Sequence, residues 1–219
     1  LLFDVRGVLF DVWDNRQLGS LKRFVQQLEQ RLDVLEVDDA HKARIRALIA
    51  EIQQVESFEA LYALLGFEYV VDPGGTLTTL PANSFDFVLS TNVMEHVHAD
   101  ITQEMIHGIA TVLKPGGYSY QNIDLKDHLH YYDRSTNAKQ YLAYSERTWR
   151  RWFENDVQYF NRVQRPQWLA MFEQAGLELV SEKTTQVPLN GLSIAQQYQQ
   201  LDETSLQCGG ISLLHRKPG

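Results

Sequence analysis

Ser84-Phe85-Asp86-Phe87-Val88-Leu89-Ser90 runs into Thr91-Asn92-Val93-Met94-Glu95-His96-Val97. Some fifteen residues on come Leu113-Lys114-Pro115-Gly116-Gly117-Tyr118-Ser119-Tyr120 and the polar run Gln121–Asp133. The order is apolar strand, polar crevice, helix, tight turn, second strand, second crevice. Such a unit is βαβ, and its chemistry belongs at the carboxyl ends of the two strands.

Upstream, Gly7–Trp13 is a short apolar run containing an acid, Asp11, and reads as a buried strand. Leu18, Leu21, Val25, Leu28, Leu32 and Leu35 recur at steps of three and four, the signature of an amphipathic helix, with Ser20 as its expected N-cap. A second helix carries Ile45, Leu48, Ile49, Ile52 and Val55 on one face. A third, Ser57–Leu65, is stopped by Gly66. Phe67–Val71 is a strand and Asp72–Gly75 a turn. Leu1–Val5 reads as the end of an earlier element.

Downstream of the opening stretch, Asp100 is the expected cap of a helix bearing Ile101, Met105, Ile106, Ile109, Val112 and Leu113. Pro115-Gly116-Gly117 ends it. Ser145–Glu154 and Pro166–Ala175 are helical, the second followed by Gly176. Leu177–Val187 is a long strand, Ser193–Asp202 a helix, and Ile211–His215 a last short strand. Strands alternating with helices give an α/β, doubly wound, mostly parallel sheet in three layers. With no repeat or linker, one domain over residues 1–219 is expected.

The chain has 219 residues, 44% hydrophobic and 22% charged, with a formal net charge of −8. That composition is globular. The acidic balance argues against a nucleic-acid partner, which would call for a basic face. Cys208 is the single cysteine, so neither an internal disulfide nor a multi-cysteine metal site is expected. No apolar run approaches the ~20 residues of a membrane span. The expectation is a cytoplasmic protein without a membrane partner.

Several segments together resemble the class I S-adenosylmethionine (SAM)-dependent methyltransferases. The carriers are Leu80–Val88, Asn92-Val93-Met94-Glu95-His96-Val97, Val112-Leu113-Lys114-Pro115-Gly116-Gly117, and Leu169–Val180 with Phe172, Ala175-Gly176 and Leu177. The resemblance covers about Gly7 to Lys217. It implies a Rossmann-like fold, SAM as cofactor, and a C-terminal antiparallel strand, Ile211–His215, paired with Leu177–Val187. In that family the first strand ends in a glycine-rich loop at the methionine part of SAM. This chain has double glycines only at Gly74-Gly75, Gly116-Gly117 and Gly209-Gly210. Gly7–Trp13 would then be the family's second strand, and the domain is expected to be N-terminally incomplete.

The resemblance implies that Asp11 accepts hydrogen bonds from the ribose hydroxyls, with Val12 offering an apolar surface to adenine. Asp14 is the runner-up. It places Thr76 and Leu77 beside adenine. Thr76 stands where the family often has an acid, and a hydroxyl is a weaker partner than a carboxylate. Asn92, after the strand end, faces the crevice that receives the SAM ammonium. Glu95 has two readings, a cofactor contact or a charge complementing a helix N-terminus. His96 has two as well, a general base near neutrality or a packed histidine.

Asp124, Asp127, His128, His130 and Asp133 crowd the second crevice. Methyl transfer is an in-line displacement. It needs alignment, exclusion of water and in some cases a base for the acceptor's proton. His128 with Asp124 or Asp127 can supply a base and its orienting partner. The same set could hold a divalent ion, but it lacks a recognised loop spacing, and no metal is expected. A plain solvated loop is the remaining reading. Arg150 and Arg151 interleave with Trp149 and Trp152. With Asp127 and Tyr131 they are the candidate contacts to a small-molecule acceptor, anionic or sugar-like. The competing function is a catalytically silent methyltransferase-like domain that binds or assembles. Another nucleotide-using Rossmann enzyme is disfavoured by the lack of Gly-x-Gly-x-x-Gly or a phosphate-loop lysine.

Overall fold

A computed structural model describes residues 5–155 and 159–219. Most of the segment read as the end of an earlier element lies outside them. The chain forms two compact units, one ending at Gly75 and one spanning Thr76–Gly219.

In the first unit, β1 (Gly7–Asp11) pairs in parallel with β2 (Phe67–Val71), Gly7 opposite Phe67 and Asp11 opposite Val71. Between them run α1 (Leu18–Glu29), α2 (Asp39–Gln54) and α3 (Phe58–Leu65). Val25, Leu32, Ile45, Ile49, Ile52 and Leu61 form their buried core. At roughly 1.5–3 kcal/mol for each fully buried aliphatic side chain, this cluster is the main reason the helices associate. Asp38 and Ser57 cap α2 and α3 by accepting from His41 N–H and Ala60 N–H. Gly66 ends α3 in the left-handed conformation, φ +67°. Ser20 is not a cap. The N-cap of α1 is Gln17, and the Ser20 hydroxyl, inside the first turn, donates to its side-chain oxygen.

The second unit holds a four-stranded sheet in the order β3-β4-β6-β5. Its strands are β3 (Phe85–Thr91), β4 (Leu113–Asp124), β5 (Glu178–Gln186) and β6 (Cys208–Arg216). β3 and β4 are parallel, and β6 lies antiparallel between β4 and β5, so three of the four strands run one way. This is the Rossmann-like α/β arrangement expected, with the C-terminal strand paired to the long strand before it. β6 is longer than the apolar run Ile211–His215, because Cys208–Gly210 also pairs with β5.

The helices are α4 (Thr102–Val112), α5 (Leu129–Tyr132), α6 (Glu146–Trp152), α7 (Arg165–Gln174) and α8 (Glu203–Leu206). α4 packs on β4 and on α7, and α7 packs on β5 and β6. They bury Ile106, Ile109, Val112, Trp168 and Phe172. Gly108 lets α4 meet the Thr76 loop. A Cβ there would stand 2.0 Å from the Thr76 carbonyl oxygen.

Two expectations fail on tertiary grounds. Asp100 does not cap α4. The N–H groups of Ile101 and Thr102 both turn back to the His98 carbonyl, so the chain enters the helix through a tight turn with Ile101 at the N-cap. Ser193–Asp202 is not a helix, apart from a 3-10 turn at Gln196–Tyr198. Ala195 is extended and its N–H is given to the Leu142 carbonyl, while Leu192, Ile194 and Leu201 pack on the Tyr141, Trp149, Phe160 cluster. Burial there outweighs local helix propensity.

Candidate active site

β3 ends at Thr91, and Asn92 turns the chain with φ +53°. A left-handed non-glycine residue costs on the order of 1 kcal/mol, so this turn is held from outside. The Asn92 N–H donates to the Asn122 carbonyl of β4 at 2.9 Å. A 3-10 turn, Met94–His96, follows directly.

Within that turn Glu95 is buried at 3% exposure, and its Oε2 has no hydrogen-bond partner. Burial raises its pKa against the opposing pull of backbone N–H groups and nearby His96. His96 points outward. Its Nδ1 lies 2.7 Å from the Tyr159 carbonyl oxygen. A carbonyl can only accept, so Nδ1 carries the hydrogen, and in the neutral ring the lone pair is on Nε2.

From the second crevice, His128 reaches the same place. Its ring centroid is 5.0 Å from that of His96, 4.6 Å from Phe160 and 6.0 Å from Tyr131. Burial, and then the charge of His96, lower the His128 pKa below the ordinary histidine value. The rings continue from Phe160 to Trp149 and on to Phe153, at 5.3 Å each.

Asp124, at the end of β4, takes the Tyr131 hydroxyl on Oδ2 and the Lys126 ammonium on Oδ1 at 3.2 Å. Lys126 also donates to the Tyr131 oxygen at 3.1 Å. Burial works against the Lys126 charge, but the hydrogen bond to Tyr131 and the Asp124 carboxylate prevail and its pKa rises. The Tyr131 pKa is raised by burial and by donation to Asp124. Asp127 is buried and accepts from the N–H of Leu129, the first residue of α5, at 2.9 Å. Both aspartates expected to orient His128 thus have other partners, because α5 folds back and brings Tyr131 and the Leu129 N–H to them first. Among the described residues, no three His, Cys, Asp or Glu side chains converge as around a metal ion.

Arg150 is exposed, pairs with Glu146 at 2.7 Å and lines a cavity of about 630 Å³ shared with His98, Tyr159, Phe160 and Arg162. Arg151 lies over Trp152, 5.4 Å from its centroid, and does not line that cavity. Thr76 and Leu77 are buried under α4, with the Thr76 hydroxyl 3.1 Å from that of Thr78 and Leu77 left-handed at φ +63°. Asp11, in the first unit, ends β1. Its Oδ1 accepts from the Val12 N–H at 2.8 Å and its Oδ2 from the Tyr69 hydroxyl at 3.3 Å. Val12 is half-buried.

The second unit therefore brings Asn92, Glu95, His96, Asp124, His128 and Tyr131 to the carboxyl ends of adjacent parallel strands. Tyr159 and Phe160 belong by sequence to the aromatic run interleaved with the arginines, but Lys126 and the use of the Tyr159 carbonyl were not singled out. The signal that could have found Lys126 is its place two residues after Asp124.

A Rossmann-like sheet with this polar crevice defines an α/β enzyme fold of the nucleotide-cofactor kind. A family model described as a methyltransferase domain matches residues 14–182, and the chain belongs to that family. Its members of this class use SAM. The chain is also similar to solved structures. One is an S-adenosylmethionine-dependent methyltransferase from Mesorhizobium loti, 15% identical, TM-score 0.47, covering 97% of this chain and 90% of that one. Another is the 1,6-didemethyltoxoflavin-N1-methyltransferase of Burkholderia thailandensis, 16% identical, TM-score 0.44, covering 98% and 72%. A third is a SAM-dependent methyltransferase from Methanosarcina mazei, 16% identical, TM-score 0.41, covering 69% and 68%. No curated protein matches the chain.

In the second unit one feature suits a cationic group of this cofactor: Glu95 Oε2 is a buried acceptor lacking a donor. No described helix is long and apolar enough to cross a membrane.

Proposed function

We propose that the protein transfers the methyl group of SAM to a hydroxyl of a small-molecule acceptor, anionic or sugar-like, in the cytoplasm, with no nucleic-acid or membrane partner. The single observation carrying this reading is the His96–His128 pair at the strand ends, with the His96 tautomer fixed by the Tyr159 carbonyl.

When bound, SAM supplies an electrophilic methyl group on a sulfonium sulfur. Nε2 of His96 would take the proton that the acceptor hydroxyl gives up, while Nδ1–H stays on the Tyr159 carbonyl. That carbonyl stabilises the imidazolium formed, because the hydrogen bond strengthens when its donor becomes charged. His128, neutral because it is partly buried, lines the acceptor's path beside Phe160. Asp124 holds Tyr131 and Lys126 as one neutral group, so the wall opposite the base carries no unbalanced charge. Tyr131 and the turn after Asp127 contact the acceptor's body, and Arg150 receives its anionic part. On the cofactor's side, within the second unit, Asn92 and Glu95 serve its cationic end and Thr76 and Leu77 adenine.

The test is transfer of label from methyl-labelled SAM to a panel of hydroxyl compounds that includes nucleotide-sugars and sugar phosphates. Wild type labels at least one and His96→Gln does not. Equal labelling by both, or labelling confined to acceptors whose nucleophile needs no base, overturns the proposal.

A further inference from the structure

His96 sits on a three-residue turn with few hydrogen bonds of its own, so its aim must be set from elsewhere. The residue that sets it is Asn161, 67 positions after Met94. Its backbone N–H donates to the Glu95 carbonyl at 2.7 Å. Its side-chain amide donates to the Met94 carbonyl at 2.8 Å and the Val97 carbonyl at 3.0 Å. Three of the carbonyls on the turn that bears His96 therefore end on one residue. The remaining side-chain oxygen accepts from the Val163 N–H at 3.1 Å, so Asn161 is itself oriented.

The segment carrying Asn161 also touches both imidazoles. Two residues before it, the Tyr159 carbonyl holds His96 Nδ1. The Tyr159 ring stacks on His98 at 4.2 Å, and its hydroxyl accepts from the Ala99 N–H at 3.1 Å. One residue before it, the Phe160 ring faces His128. One residue after it, Arg162 bends the chain at φ +55° and is fixed by Glu146, the Tyr198 hydroxyl and the Trp149 ring.

We propose that Asn161 is a positioning residue. It clamps the 159–162 segment onto the Met94–Val97 turn, and so sets the tautomer and aim of His96 and its spacing from His128. A hydroxyl, a carboxylate or a methyl at position 161 cannot donate to two carbonyls at once. The proposal rests on His96 being the base, and its first readout is independent of that.

The experiment is nitrogen-15 NMR of histidine-labelled protein, paired with rates of S-adenosylhomocysteine release across pH. In wild type the neutral His96 is expected as the Nδ1–H form. In Asn161→Asp and Asn161→Ser, each checked for wild-type circular dichroism, a mixture of tautomers is expected. The rate should fall at least tenfold, with its acid limb displaced. A wild-type His96 in the Nε2–H form overturns the proposal, and that result needs no variant to fold. Variants that keep the wild-type tautomer and pH profile overturn it too. Should the tautomer shift in the variants while His96→Gln keeps full turnover, the clamp stands and the base assignment falls.

Discussion

The imidazoles of His96 and His128 lie 5.0 Å apart, centroid to centroid, with their planes tilted by 49°. They come from the ends of two different strands and meet only in the folded chain. Like charges at this separation oppose each other, so a charge on His96 disfavours protonation of His128. Burial is the larger cause of the lowered His128 pKa, and His96 is the second. NMR titration should therefore find His128 below the usual 6.5. His96→Gln should raise that value part of the way back, leaving the share due to burial. An unchanged His128 titration in the variant would show that the two rings do not interact.

His215 on β6 is buried at 1% exposure, stacked on Phe172 at 4.3 Å, with Nδ1 unpartnered. Burial pushes its pKa down to about 4. The unfolded chain, near 6.5, binds a proton that the folded one does not between those values. Stability is therefore full above about pH 6.5 and falls on the way down to about 4, by on the order of 3 kcal/mol. His215→Leu should flatten this part of the acid limb, read as melting temperature against pH. Parallel curves for the two proteins would refute it.

Lys139 is wholly buried, and its ammonium donates to the carbonyls of Leu125 and Cys208 at 2.9 Å each and to the Gln164 side chain at 3.3 Å. Burial pushes its pKa down to about 7. Between about 7 and the ordinary lysine value of roughly 10.4 the folded state holds fewer protons, so stability rises with pH across that interval. Lys139→Met should remove the slope. It should also cost on the order of 1–3 kcal/mol near pH 9, because the buried carbonyls of Leu125 and Cys208 lose their donor. Urea melts at pH 7 and pH 9 measure both effects.

Gly108 permits the contact of α4 with the Thr76 carbonyl. Gly108→Ala should destabilise the second unit by about 3 kcal/mol or more, since the obstacle is backbone and not a flexible side-chain end. Gly19→Ala in α1, whose Cβ would meet nothing within 4 Å, is the control and should be neutral or slightly stabilising.

Much of this was legible from local pattern. Gly66 and Gly176 follow helices, and the apolar runs at Phe67–Val71 and Phe85–Ser90 are strands, because stops and alternation act over a few residues, whereas both expected caps, Ser20 and Asp100, fail. Ser193–Asp202 misled because its apolar residues are drawn into the Tyr141 and Trp149 cluster. In the site, the titratable residues at the strand ends could be named from sequence. Their partners could not. The spacing of Asp124 and His128 suggested a dyad, and the folded loop gives Asp124 to Tyr131 and Lys126. Nor does anything near Asn161 in the chain announce the turn it clamps, since its contacts span more than sixty positions.

The central claim is that His96 Nε2 removes the acceptor's proton during methyl transfer. The measurement that tests it most directly compares wild type with His96→Gln, taking the rate of S-adenosylhomocysteine formation and the calorimetric affinity for S-adenosylhomocysteine on the same samples. A rate reduced roughly 10²–10⁴-fold, with affinity unchanged, is the expected result for loss of a general base. A variant as fast as wild type, or one whose lost rate is matched by lost affinity, would contradict it.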